Sequence, residues 1–202
     1  YQISDRGPAI AIGDLDNDGK QDIFLGNSKH NPSEIYIQNA NGFVKLEDTL
    51  LTNNALIEEG AASIADFNND KKNELFIGAG GGEFFGKSKA LQNVIYEFKD
   101  NTLAQLELPE NFEDTSVVKT YDYDADGDLD VFVGNASLSN DFGNIPESYI
   151  LENDNGTFNK KSLGNLGMVR DAVWTDFNND KQQDLIVVGE WMQPLFLQNN
   201  KG

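Results

Sequence analysis

The sequence predicts an all-β protein, a β-propeller built from four-stranded antiparallel blades, and three observations support this prediction. A nine-residue acidic stretch occurs four times, each copy is followed by an apolar run that ends in glycine, and the copies begin 52, 56 and 54 residues apart. Repeats of about fifty residues are typical of propellers and solenoids. Each period has room for four short strands, which is the content of one propeller blade.

The repeated stretch places oxygen-bearing side chains at its positions 1, 3, 5 and 9. The copies read DLDNDGKQD, DFNNDKKNE, DYDADGDLD and DFNNDKQQD, and they begin at Asp14, Asp66, Asp122 and Asp176. Carboxylates at alternate positions of a tight loop repel one another unless a cation lies among them. Calcium takes about six to eight oxygen ligands and tolerates the irregular cage of a flexible loop. The spacing therefore predicts one Ca²⁺ per loop, about four in all.

The candidate ligands occupy positions 1, 3, 5, 7 and 9 of each loop, and position 7 is expected to contribute its backbone carbonyl. In the first two loops they are Asp14, Asp16, Asp18, Lys20, Asp22, Asp66, Asn68, Asp70, Lys72 and Glu74. In the last two loops they are Asp122, Asp124, Asp126, Asp128, Asp130, Asp176, Asn178, Asp180, Gln182 and Asp184. Position 9 begins the next strand and closes the cage.

Two alternatives compete with this interpretation. The EF-hand is excluded because it needs a bidentate Glu at position 12 and flanking helices. Position 12 is apolar in all four copies: Leu25, Ile77, Val133 and Val187. The residues after position 9 are β-branched and aromatic, which is typical of strands. The second alternative, four acidic surface turns without a metal, stays open.

Strands follow in the same order in every period. In the first, residues 9–13 enter the loop, residues 22–25 leave it, and EIYIQN and FVKLED form a hairpin at Asn41-Gly42. This plan predicts one propeller region over residues 1–202, with repeats at 9–48, 61–108, 117–163 and 172–202. The YQIS of residues 1–4 also reads as a fourth strand, so it could close a four-bladed ring. We favour a segment of a larger propeller, with the closed ring as the alternative.

The composition excludes several classes of function. The chain has 15 basic and 34 acidic residues in 202, for a net charge of −19, so it offers no basic footprint for nucleic acid or an anionic membrane. It has no cysteine, hence no disulfide framework. No stretch is long enough to be a transmembrane helix. We expect no nucleic-acid partner and no membrane insertion.

Residues 81–88, GGEFFGKS, match the pattern of a phosphate-binding loop, G-x-x-x-x-G-K-[ST]. Such a loop cradles phosphates at the N-terminus of a following helix. Here the next segment, VIYEFKDN, is in phase with the third strand of the other repeats. We therefore predict a long rim loop and no nucleotide.

The loops and the blade pattern resemble the FG-GAP or VCBS repeat, a calcium-binding propeller unit that also builds the heads of integrin α-subunits. A narrower resemblance, carried by GAGGGEFFGKSKALQNVIYE, VRDAVWTDFNND and VVGEWMQP, is to secreted propellers of the ASPIC/UnbV or cartilage-acidic-protein type. The resemblance implies an extracellular or cell-surface location. It also implies calcium at the equivalent positions of every loop, beginning with Asp14, Asp16, Asp18 and Asp22.

The chain departs from this repeat pattern at four positions. Lys71 and Lys181 stand where the motif has glycine, and Asn68 and Asn178 stand where it usually has Asp. Ligand charge is one of the factors that tune calcium affinity. The second and fourth sites are therefore expected to be weaker than the first and third.

These observations favour an extracellular calcium-binding propeller that acts as a binding or adhesion module for a protein or glycan ligand at the cell surface. Rigid scaffolds that present loops commonly serve recognition. The alternative is a carbohydrate-active enzyme of the polysaccharide-lyase kind, or its accessory domain. No pair of carboxylates stands apart from the metal sets, and His30 is the only histidine. No catalytic residue is predicted.

Overall fold

A computed structural model describes residues 8–28, 30–82, 84–138, 141 and 143–200. These residues form four antiparallel sheets, three with four strands and one with three. In each sheet the strands that are consecutive in sequence are also neighbours, so each sheet is a simple meander. The predicted all-β propeller architecture, with four repeats of blade type, is confirmed.

The first two blades contain eight strands and are joined by a short helix. Blade 1 consists of β1 (Ile10–Gly13), β2 (Asp22–Leu25), β3 (Glu34–Asn39) and β4 (Gly42–Lys45). Helix α1 (Thr49–Asn53) follows. Blade 2 consists of β5 (Glu58–Ala65), β6 (Glu74–Gly80), β7 (Val94–Lys99) and β8 (Thr102–Leu106).

The last two blades repeat this plan. Blade 3 consists of β9 (Asp114–Tyr121), β10 (Asp130–Ser137), β11 (Tyr149–Asp154) and β12 (Thr157–Ser162). Blade 4 consists of β13 (Met168–Thr175), β14 (Asp184–Glu190) and β15 (Leu195–Leu197). A fourth strand of this blade is not among the described residues.

The two inner strands of blades 2 to 4 extend beyond the segments that hydrophobic alternation indicates. β5, for example, begins at Glu58, whereas the apolar pattern begins at Ala61. A register shift between Glu59 and Ala61 interrupts the pairing with β6, and comparable shifts occur in blades 3 and 4. A bulge breaks the two-residue period, so the strand begins before the alternating sequence pattern does.

A hydrophobic core fills each space between consecutive blades, because each sheet buries one face against its neighbour. The first core includes Phe24, Ile35, Leu75 and Tyr96, the second Phe76, Ile95, Val131 and Tyr149, and the third Phe132, Ile150, Leu185 and Val187. Every one of these side chains is at most 4% exposed. The aromatic and β-branched residues that follow each acidic loop therefore form the contacts between blades.

Glycine is required where the inner strands approach one another most closely. A Cβ atom on Gly78 would lie 2.5 Å from Thr115 Cγ2, and one on Gly134 would lie 2.6 Å from Val169 Cγ1. Both distances are well inside van der Waals contact. The glycine that ends the apolar run in each repeat thus has a packing role.

Two short helical segments lie outside the strand plan, and the sequence pattern did not indicate them. Asp48 begins α1 by accepting a hydrogen bond from Leu50 N at 2.7 Å, and its second oxygen accepts from Leu103 N at 2.8 Å. The rim loop that ends at Ser88 continues into a three-residue 3₁₀ helix, Lys89–Leu91, and then into β7. Within the described residues, this segment lacks the long helix on which a phosphate-binding loop depends.

The blades form an open arc rather than a closed four-bladed ring. Ile12 in β1 is 59% exposed and Phe196 in β15 is 61% exposed, so the outward faces of blades 1 and 4 do not cover each other. Residues 1–4, the predicted closing strand, lie outside the described residues.

Candidate metal centres

The four acidic loops occupy equivalent places, because each one joins the first strand of its blade to the second. Neighbouring loops also touch. The side-chain amide of Asn73 donates to the carbonyl of Asp14 at 2.7 Å, and that of Asn69 donates to the carboxylate of Asp128. The first three loops therefore form a connected acidic rim on one end of the arc.

All four loops share one backbone conformation. Position 4 is left-handed in every copy, with φ between 58° and 63° at Asn17, Asn69, Ala125 and Asn179. Position 6 is also left-handed, with φ between 69° and 103° at Gly19, Lys71, Gly127 and Lys181. Two left-handed residues so close together curl the chain tightly. In the first loop this curl brings the carboxylates at positions 1, 3 and 5 together.

The carboxylate at position 1 organises the curl by accepting backbone hydrogen bonds from across the loop. In the first loop, Asp14 accepts from Asp18 N at 3.0 Å and from Gly19 N at 2.9 Å. The N–H of Lys71 donates to Asp66 at 2.9 Å in the second loop. The third and fourth loops repeat the position-6 bond, at 3.1 Å and 2.9 Å.

The acid at position 9 is buried in every copy, and in the first and third loops it is held from two sides. Asp130, 1% exposed, accepts from Tyr123 N at 3.0 Å within the loop and from Asn153 N at 2.9 Å on the third strand. Asp22 is held in the same way by Leu15 N and Gln38 N. The third-strand donors were missed by sequence reasoning, because a backbone N–H has no sequence signature.

The first and third loops bring three carboxylates together. Each group has one oxygen per residue within 4.8 Å of the others: Asp14, Asp16 and Asp18, and Asp122, Asp124 and Asp130. The predicted sets are thus gathered in part. Asp22 lies outside the group of the first loop, and Asp126 lies outside the group of the third loop. Lys20 directs its ammonium at Asp18 and forms a salt bridge.

In the second and fourth loops an amide replaces the central carboxylate. Asn68 Nδ2 donates to Glu74 Oε1 at 3.0 Å, and Asn178 Nδ2 donates to Asp180 Oδ2 at 2.9 Å. Each loop also holds a buried carboxylate oxygen that has no hydrogen-bond partner among the described residues: Asp66 Oδ1 and Asp184 Oδ2. Such oxygens are rare in folded proteins unless a ligand satisfies them.

Burial and mutual repulsion disfavour the charged form of several loop acids. Burial, followed by the charges of Asp22 and its neighbours, raises the pKa of Asp16, and burial raises the pKa of Asp124 in the third loop. At position 9, burial raises the pKa of Asp130 to about 6 and that of Glu74 to about 7. A cation among these groups would offset both effects.

The donor set fits a hard divalent cation such as Ca²⁺, because it consists of carboxylate and amide oxygens with no nitrogen or sulfur ligand. Positions 1, 3, 5 and 9 would hold the ion. The position-7 carbonyls of Lys20, Lys72, Asp128 and Gln182 stay a prediction. The Asp128 side chain is engaged elsewhere, since it also accepts from Asn155 N at 2.6 Å.

The fold and the loops together define a propeller protein with an acidic loop in every blade. The chain belongs to the FG-GAP-like repeat family, whose profile matches residues 14–77 and 122–187, more than half of the chain. The narrower resemblance to the ASPIC/UnbV and cartilage-acidic-protein type stays a prediction. No curated protein matches the chain.

Among solved structures, the chain is similar to the V. cholerae biofilm matrix protein Bap1. The identity is 15% and the TM-score is 0.35, and the match covers 93% of this chain. The chain spans 35% of the length of that structure. Separately, within the described residues no helix has the length and apolar character needed to cross a membrane.

Proposed function

We propose that this chain is a calcium-binding propeller of the extracellular space, and that it serves as a binding or adhesion module for a protein or glycan ligand. The observation that carries the proposal is the acidic loop that occurs in all four repeats. Each copy curls around a carboxylate at position 1, and two of the copies gather three carboxylates within 4.8 Å. FG-GAP-like repeats are in general non-enzymatic, which favours a binding role.

Calcium would act here as a structural ion. It would neutralise the acids that crowd each loop and fix the curl between the two inner strands of the blade. Extracellular modules bind calcium with dissociation constants of about 10⁻⁴–10⁻³ M, which suits the calcium concentration outside cells and not that of the cytosol.

The proposal is tested by calcium titration calorimetry on the chain and on the double variant Asp16→Asn/Asp124→Asn. We expect saturable binding by the parent chain and at least a tenfold weaker affinity at two sites in the variant. A matched control is Asp100→Asn, an exposed carboxylate in the hairpin turn between β7 and β8. Binding that is absent, or that is equal in all three proteins, would refute the calcium assignment.

The ligand class requires a separate experiment. The calcium-loaded chain should be applied to a glycan array and, in parallel, screened for cleavage of acidic polysaccharides. Retention of the chain on glycans, or its capture of a surface protein, without cleavage of any polysaccharide supports a binding or adhesion module. Turnover of a polysaccharide would favour the enzymatic alternative.

A further inference from the structure

At each of the three junctions between the described blades, an asparagine side chain of the later blade reaches the acidic loop of the earlier one. The Nδ2 donors and their carbonyl acceptors are Asn73 with Asp14 at 2.7 Å, Asn153 with Phe67 at 2.6 Å, and Asn199 with Tyr123 at 2.7 Å. Every acceptor carbonyl belongs to the segment that joins position 1 of its loop to position 3. Each bond therefore holds the segment that carries the first ligands of a neighbouring loop.

The asparagine at each junction is also tied to the position-9 acid of its own loop. Asn153 N donates to Asp130 at 2.9 Å, and Asn199 N donates to Asp184 at 2.9 Å. In the second loop, the asparagine at position 8 directly precedes the position-9 acid Glu74. One residue thus connects two loops at every junction: its own loop through position 9, and the preceding loop through a backbone carbonyl.

The residue at position 2 completes a continuous chain of hydrogen bonds across the last three loops. Its N–H donates to the position-9 acid of its own loop, at 2.8 Å for Phe67 and at 3.0 Å for Tyr123, and its carbonyl accepts from the next blade. The chain runs in order through Glu74, Phe67, Asn153, Asp130, Tyr123, Asn199 and Asp184. Phe67, Asn153 and Asp130 are each 1% exposed, so water competes little with these bonds.

The contact is present even in the blade whose third strand lacks the asparagine. Asn153 and Asn199 hold equivalent places, each two residues beyond the residue that pairs with the first apolar position of the second strand. In blade 2 the residue at this place is Phe98, which has no amide to donate. There Asn73, within the loop itself, donates to the first loop instead. The same connection is thus made from two different positions of the repeat.

A second contact reinforces the junction between the second and third loops. Asn69 Nδ2 donates to one oxygen of the Asp128 carboxylate, and Asn155 N donates to the other oxygen at 2.6 Å. Asp128 is position 7 of the third loop, and its backbone carbonyl is a predicted ligand. These two loops are therefore joined at two points, through Asn153 and through Asn69.

We propose that these bonds couple the calcium sites of neighbouring blades, with Asn73, Asn153 and Asn199 as the positioning residues. This inference rests on the proposed calcium binding. An ion in one loop fixes its position-9 acid, the acid fixes the asparagine, and the asparagine fixes a peptide of the preceding loop. Because a peptide group is planar, holding its carbonyl sets the direction of the ligands beside it. The second ion then enters a loop that is already ordered and binds more tightly, and linkage makes the effect reciprocal.

The coupling would act most strongly on the two loops that carry fewer carboxylates. The second loop contacts both the first and the third, and the fourth loop contacts the third. Calcium in a carboxylate-rich loop should therefore raise the affinity of its weaker neighbour about fivefold or more. The four sites would then fill over a narrower range of calcium concentration than independent sites of unequal strength.

Amide NMR during a calcium titration follows each loop separately, because the N–H at position 6 donates to the position-1 carboxylate. Lys71 reports on the second loop and Gly127 on the third. Disabling the third loop with Asp124→Asn/Asp126→Asn should raise the half-saturating calcium concentration of the second loop about fivefold or more. In the Asn153→Leu background the same change should raise it about twofold or less, since Asn69 alone still joins the two loops.

Asn93→Leu is the matched control. Asn93 is another buried asparagine, 5% exposed, at the end of the same junction that is remote from the loops, where it donates to Tyr149 Oη at 3.1 Å. Its variant should keep the full dependence of the second loop on the third. Asn199→Leu, at a half-buried residue, repeats the test at the next junction with the Lys181 amide as the reporter, and it decides the question if Asn153→Leu does not fold.

The outcomes separate the coupling from the calcium assignment. A second loop whose calcium affinity is independent of the third in the parent would overturn the coupling and leave calcium binding intact. A dependence that survives both Asn153→Leu and Asn199→Leu, or that Asn93→Leu abolishes equally, would also overturn it. If calcium shifts none of the position-6 amides, the calcium assignment itself is refuted, and the coupling with it.

Discussion

The backbone N–H of Lys71 donates a hydrogen bond to Asp66 Oδ2 at 2.9 Å while Lys71 itself has a left-handed backbone, with φ of 69°. Lys181 and Asp176 repeat the arrangement in the fourth blade, with φ of 72°. The lysine at position 6 of these two loops, where the motif has glycine, thus carries a conformational cost. A side chain in the left-handed region costs about 1–2 kcal/mol.

We therefore expect Lys71→Gly to stabilise the protein by about 0.5–1 kcal/mol, because glycine adopts this conformation without strain. The neighbouring variant Lys72→Gly removes the same charge at a residue whose φ is not positive, so it should destabilise by a similar amount. Urea unfolding at saturating calcium measures both. Equal effects of the two substitutions would show that charge, and not backbone strain, determines stability here.

Removal of calcium should lower the melting temperature by many degrees. At ten times the dissociation constant, each site adds about 1.4 kcal/mol, so four sites add about 5–6 kcal/mol. For a domain of this size, each kcal/mol shifts the melting temperature by about 2–4 °C. Calorimetric scans with EDTA and after calcium is restored provide the measurement. The melting temperature of the Asp16→Asn/Asp124→Asn variant should fall less on chelation than that of the parent. A parent melting temperature that EDTA leaves unchanged contradicts the prediction.

The four sites should differ in affinity, with the first and third filling before the second and fourth. Asn68 and Asn178 reduce the ligand charge, and their amide groups already hold one oxygen of Glu74 or Asp180. Calcium occupancies refined from crystals grown at limiting calcium would show the order.

The same idea can be tested by restoring the missing charge. Asn68→Asp and Asn178→Asp should each raise the affinity of their own loop by about tenfold, since ligand charge tunes calcium sites. Asn159→Asp adds the same charge on the outer strand β12, away from every loop, and should change nothing. Equal occupancy of the four parent sites, or an equal effect of all three variants, would refute the order.

Glu59 should make the folded state less stable as the pH rises. It is buried between blades 1 and 2, where it accepts hydrogen bonds from Asn27 N at 2.8 Å and Ser33 Oγ at 3.1 Å. Burial nevertheless raises its pKa to about 7. Because the unfolded carboxyl ionises near its ordinary pKa of 4.5, stability is unaffected well below that pH and falls as the pH rises toward 7, by up to about 3 kcal/mol.

The measurement is the free energy of unfolding of the parent and of Glu59→Gln between pH 4.5 and 8, at saturating calcium. As the pH rises across this range, the free energy of unfolding of Glu59→Gln should increase relative to that of the parent by up to about 3 kcal/mol. Glu107→Gln, at an exposed carboxylate that follows β8, is the control and should track the parent. A pH-independent difference between Glu59→Gln and the parent would exclude Glu59 as the source.

The sequence by itself determined the repeat, the loops and the type of blade. Four acidic stretches in phase define the loops, and the apolar residues after each one, such as Phe24 and Phe76, define the buried strands. These features are local: a strand, a turn and a ligand spacing follow from the residues within a few positions of one another. The family match at the loops agrees with this.

Only the tertiary structure decided the contacts between blades. The sequence does not show that Asp130 is held by the N–H of Asn153, that Asn69 reaches Asp128, or that Glu59 is buried between two sheets. It also does not reveal which apolar faces stay exposed, since Phe196 and Ile35 carry the same alternating pattern. Burial depends on whether a neighbouring blade is present, and that depends on how sheets pack rather than on the residues of one strand.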